Sequence, residues 1–126
     1  MTARRRAGLA LGLVLSLVLA APAQAGQISD HLFNAHQGWN SPIYHATWTG
    51  FNIRFCTSSL GSLKFDAMHH WPGFPSTGTR ETSISCQNNA TWRAAVWDTD
   101  TADWSVEYTW NNSGATFTAD YLLNYF

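Results

Sequence analysis

Positive charge is scarce in this chain once its first residues are set aside. Beyond Arg4, Arg5 and Arg6 the only cations are Arg54, Lys64, Arg80 and Arg93, set against 8 aspartates and glutamates. Without those three leading arginines the formal net charge of −1 becomes −4. Phosphate backbones need a basic footprint, so a nucleic-acid partner is excluded, and anionic lipid is disfavoured on the same ground. Cysteine is nearly absent: Cys56 and Cys86 stand alone, with no C-x-x-C spacing for a zinc or redox centre. The motifs G-x-S-x-G and H-E-x-x-H and the phosphate loop are also missing, which leaves hydrolytic and phosphoryl-transfer chemistry without a recognisable centre. There is no internal repeat, linker or low-complexity tract.

Only one long apolar run exists, AGLALGLVLSLVLAA after the three arginines, and Ala23-Gln24-Ala25 follows it. A basic start, a short hydrophobic middle and a small-x-small ending describe a secretory signal peptide over residues 1–25, cleaved before Gly26. The run is shorter than the ~20 residues that span a bilayer, so no stable membrane span is expected in the mature chain. A secreted location follows, and in that oxidising compartment Cys56 and Cys86 are expected to form one disulfide.

From Gly26 to Phe126 the chain reads as one domain. Tyr44, Ala46 and Trp48 alternate with polar residues, as do Phe51, Ile53 and Phe55, then Leu63, Phe65 and Ala67, and Ala115 to Tyr125 in steps of two. Period-two alternation marks strands with one buried face. In this pattern Cys56 points away from the Phe51–Phe55 apolar set unless a bulge intervenes. Trp104, Val106, Tyr108 and Trp110 repeat the pattern most cleanly, whereas Thr91–Trp97 is apolar on both faces, which suits a central strand or one whose outer face meets a partner. Asp98–Asp103 is expected to be an acidic loop joining these two strands. Gln27–Gly38 stays open between a short helix, an irregular segment and a strand. About seven short strands with polar turns predict an all-β fold, a small antiparallel β-sandwich or small barrel.

Aromatic residues are abundant: 7 Trp, 4 Tyr and 7 Phe, more than a core of this size is expected to house, so some rings should face solvent. His69-His70-Trp71-Pro72-Gly73-Phe74 reads as a surface loop. Its histidines suit a transition metal chemically, but neighbours in an extended chain point apart, so no metal and no cofactor are assigned. Asp98, Asp100 and Asp103 offer hard oxygens without the glycine and bidentate glutamate of a calcium loop. Carboxylate pairs for glycoside hydrolysis, such as Glu81 with Glu107, are too common in an acidic domain to mean anything before their separation is known. Two glycosylation sequons begin at Asn89 and Asn111.

The expected ligand-binding residues are Trp39, Tyr44, His69, His70, Trp71, Phe74, Trp97, Asp98, Asp100, Asp103 and Trp104. Indoles beside carboxylates and amides suit a sugar, whose C–H face lies on the ring while its hydroxyls meet the polar groups. The first expectation is therefore a secreted, non-catalytic protein that binds polysaccharide or cell-wall glycan. The second is a module that binds a secreted protein, such as an inhibitor or an effector, because aromatic anchors dominate protein interfaces as well. A small extracellular hydrolase ranks third.

Overall fold

The computed structural model describes residues 25–110 and 113–126. The expected signal peptide, apart from Ala25, lies outside the described residues, as do Asn111 and Asn112 of the second sequon. Seven strands follow in order: β1 (Gly26–Ala35), β2 (Tyr44–Ser58), β3 (Ser62–His70), β4 (Thr77–Gly78), β5 (Thr82–Ser85), β6 (Arg93–Tyr108) and β7 (Phe117–Tyr125). They make one antiparallel sheet in the order β1-β7-β2-β6-β3-β4, with β5 also pairing β3. The all-β expectation holds, and Gln27–Gly38 resolves into a strand because β7 pairs with it from Gly26↔Tyr125 to Ala35↔Phe117.

The sheet folds over its own inner face. Rings on strands that are not hydrogen-bonded neighbours touch: Phe51 of β2 meets Phe65 of β3 at 4.8 Å, and Phe65 meets Phe117 of β7 at 5.6 Å. Two long strands make the fold possible, since β6 pairs β2 from Arg93 to Trp104 and β3 from Asp103 to Tyr108. Where β2 has not yet begun, the segment before it continues beside β6, with Gly38 N donating to Tyr108 O and Ser41 N to Val106 O. Gly38 has φ +90, and the Trp110 ring lies where a Cβ would project, so glycine is required there. Trp39 enters the core beside it and meets Tyr121 edge-on at 5.3 Å.

Two β-bulges change the sequence reading. Asp98–Asp103 is not a loop between two strands. It lies within β6, where the step from Ala46 to Trp48 on β2 faces the longer step from Asp98 to Ala102, so the surplus residues swell outward without ending the ladder. A second shift lies on β2 between Arg54 and Thr57, opposite Asp120 and Thr118. Phe55 takes φ +49 there, which reverses the inside–outside order: Phe55 is exposed and Cys56 is buried. Cys56 is bonded to Cys86, the disulfide expected from the sequence.

Candidate functional site

Of the expected binding residues, His69, His70, Trp71, Asp100 and Asp103 lie around one end of the sheet, organised by Trp104. This indole is buried, with 2 % exposure, and its Nε1 donates to the carbonyl of Asp100 on the β6 bulge at 3.0 Å. Its ring meets His69 edge-on at 4.7 Å, and His69 stacks on Trp71 at 3.7 Å with 24° between planes. One buried side chain thus links the acidic bulge to the β3–β4 hairpin.

That hairpin owes its shape to its own residues. Phe74 N donates to Trp71 O across Pro72 and Gly73, and Gly73 has φ +76. Proline presets the second position of a four-residue turn, and a glycine with positive φ at the third makes it type II. The turn brings Thr77 opposite His69, where its Oγ1 accepts from Trp71 Nε1 at 3.0 Å. Trp71 is therefore pinned by a stacked imidazole and a hydrogen bond, yet it remains 49 % exposed, and Phe74 beside it is 75 % exposed.

The polar groups of β3 and β6 at this end lie on the face opposite His69 and Trp104. His70 points to the opposite side of β3 from His69: its Nε2 is 2.8 Å from Ser105 Oγ, while His69 faces Trp104. The two histidines diverge as an extended backbone requires. Asp103 lies directly across from His70 on β6 and across from His45 on β2, and His45 Nδ1 is 2.9 Å from Asp103 Oδ1. Asp100 is exposed on the bulge. Among the described residues no group of three histidines, cysteines or carboxylates is placed to hold a metal ion.

Four of the expected residues do not reach solvent as a binding surface would need. Trp97 is 2 % exposed and its Nε1 donates to the Arg80 carbonyl at 2.8 Å. Trp104 is the buried support described above, and Trp39 sits among Phe51 and Tyr121. Tyr44 is buried, stacked on Tyr125 and hydrogen-bonded to Thr49 Oγ1 at 2.7 Å. Tyr44, Trp97 and Trp104 fall on the inner side of their strands' alternation, and Trp39, partly buried in the segment before β2, packs on the same core, each drawn there by its large apolar area. Asp98 is exposed but lies opposite Trp48, on the other layer of the folded sheet.

Glu81 and Glu107, weighed as a hydrolytic pair, each hold another partner, and so does Asp66 beside Glu107. Asp66 Oδ1 accepts from Thr79 N, Thr79 Oγ1 and Arg80 N, which anchors the chain after β4. Glu107, directly across from Asp66, accepts from Asn40 Nδ2 at 3.3 Å. Glu81 pairs with Lys64 at 3.7 Å.

Two phenols carry a pH signature. Burial pushes the Tyr44 hydroxyl well above the usual tyrosine range, and its bond to Thr49 offsets this only in part. Burial, then the charge of Asp30, raises Tyr121. Ionisation is harder in the folded state, so the resulting stabilisation is fully present below the unfolded phenol's pKa of about 10. It is lost progressively as pH climbs from there through the folded-state values. Tyrosinate absorbance and circular dichroism followed together should show part of the tyrosine signal lagging and then appearing with unfolding. Complete ionisation near pH 10 with the fold intact would contradict the assignment.

Sequence reasoning passed over Arg54, Trp92, Asp120 and His31, which are remote in the chain and meet only through strand register. The one local signal was the second apolar face of Thr91–Trp97, carried by Trp92, Ala94 and Val96. The chain matched no protein-family description, no curated protein and no solved structure.

Proposed function

We propose that the chain is an exported, non-catalytic protein that binds polysaccharide or cell-wall glycan through the Trp71 hairpin. The observation that carries this reading is the state of Trp71: an indole immobilised before any ligand arrives, with half its surface wet. A pre-ordered ring loses little freedom on binding, so more of the stacking energy appears as affinity. Asp100, exposed on the bulge whose carbonyl Trp104 holds, supplies acceptors for sugar hydroxyls, whereas Asp103, His45 and His70 lie on the opposite face of the strands. Phe74, more exposed than Trp71, keeps a protein partner as the second reading, because a projecting ring also suits a protein pocket.

The test is retention on insoluble cellulose and chitin, with tryptophan fluorescence followed during titration with their soluble oligosaccharides. Trp71→Ala should weaken binding roughly 30-fold, the effect of losing an anchor worth about 2 kcal/mol. The variant should keep the wild-type unfolding free energy, measured by urea denaturation, to within about 0.5 kcal/mol, as expected of a surface change. Absence of binding to every glycan, together with capture of a secreted protein that Phe74→Ala abolishes, would replace this reading with the second.

A further inference from the structure

The outer face of the layer formed by β1, β7, β2 and the first half of β6 carries a second constellation. Cross-strand partners share a face, and the register lays His31, Asp120 and Arg54 in one transverse row. Trp92, one residue before β6, completes it: the Arg54 guanidinium lies 4.4 Å from the Trp92 ring centroid. His31 Nδ1 is 2.7 Å from Asp120 Oδ1. Asp120 Oδ2 stands 3.5 Å from Arg54 Nε, an ion pair longer than a hydrogen bond, so this oxygen can still accept from a ligand. Ser29, Asp30, Arg54, Trp92 and Asp120 help to line a cavity of about 320 Å³, a volume at the small end of ligand pockets.

Behind this row come Ser29, Leu122, Asn52 and Ala94, then Gln27, Asn124, Gly50 and Val96. At the far end Trp48 folds back over Gly50, where its ring occupies the space of a Cβ, and it meets Phe126 at 4.9 Å. A further cavity of about 500 Å³ opens beside Trp48 and Phe126. From Trp48 to Arg54 along β2 is about 20 Å at ~3.3 Å per residue, long enough for several linked sugar rings.

We infer that this face is a second glycan site, specific for neutral sugars, so that one molecule grips a polysaccharide at two places. The inference rests on the glycan reading and extends it to a different surface and a ligand class. Charge selects the class: the row's guanidinium, Arg54, is already paired with Asp120. That carboxylate accepts from hydroxyls, and a uronate or sulfate finds no free guanidinium in the row. Two sites on one polymer raise retention beyond either affinity alone.

The experiment is proton–nitrogen NMR of the indole N–H groups during titration with cellohexaose, with N-acetylchitohexaose and with an oligogalacturonate. The Trp71 and Trp92 resonances should both move with a neutral hexasaccharide, and the Trp92 resonance should stay still with the uronate. Trp92→Ala, or the milder Asp120→Asn, should lower retention on the matching insoluble polymer at least 10-fold while the Trp71 resonance still responds. Movement of Trp71 without Trp92 would overturn the second site and leave the hairpin reading standing. Movement of Trp92 without Trp71 would support this site and remove the hairpin. An equal Trp92 response to the uronate would overturn the neutral class, and no response to any probe would overturn both sites.

Discussion

Phe65→Ala should lower the unfolding free energy by about 3–5 kcal/mol, the range for emptying an aromatic position that cannot collapse. Phe65 is fully buried and touches three other rings: Phe51 at 4.8 Å, Tyr108 at 5.5 Å and Phe117 at 5.6 Å. Those rings come from β2, β6 and β7, so one side chain joins both layers of the folded sheet. Its removal opens a cavity at the point where the sheet meets itself, and the flanking strands are held in place by their ladders. Urea denaturation of the variant against wild type measures the loss. A cost below about 1 kcal/mol would mean that the layers do not close over this ring. The exposed Phe74→Ala is the control and should fall within about 0.5 kcal/mol of wild type.

Removing the disulfide should cost about 3–4 kcal/mol, the chain-entropy value for a loop closed over a separation of 30 residues. For a domain of this size that corresponds to a fall in Tm of roughly 12–30 °C. The site of the bond explains why little else can substitute. Beyond Ile53↔Arg93, β2 has lost its β6 partner, and only Phe55 N to Asn89 O and Cys56 N to Gln87 O tie it to the following segment. The covalent link holds the bulged end of β2 against the chain leaving β5. Paired replacement of Cys56 and Cys86 by alanine, followed by thermal denaturation, tests this. A fall of only a few degrees would show that the backbone bonds and the aromatic core suffice. Because Arg54 precedes the bulge, the same variant should also weaken any binding that depends on Trp92 more than binding at Trp71.

Much of the fold was legible locally. Ala115, Phe117, Ala119, Tyr121 and Leu123 are buried in strict alternation, because a strand against a core needs nothing beyond its own period of two. The Pro72-Gly73 pair announced the turn that presents Trp71. Where the sequence misled, the cause was a bulge. Phe55 and Cys56 exchanged sides, and the aspartates that looked like a loop lie inside a strand. A bulge is decided by what the partner strand offers, and no window along one strand contains that information. The residues expected to bind divided in the same way, since Trp71 and Phe74 lie exposed in the stretch expected to be a surface loop, but Trp97 and Trp104 needed the position of the opposite layer before inside and outside could be told apart.

The amino-acid sequence by itself determined that strands form, that two cysteines close one loop and that aromatic rings outnumber the needs of a small core. These follow from local periodicity, composition and bond chemistry. Tertiary structure alone decided which indoles stay wet, and it alone assembled His31, Arg54, Trp92 and Asp120 into a row. Strand register joins residues far apart in the chain, and the free energy that sets it resides in cross-strand pairs and ring contacts between layers.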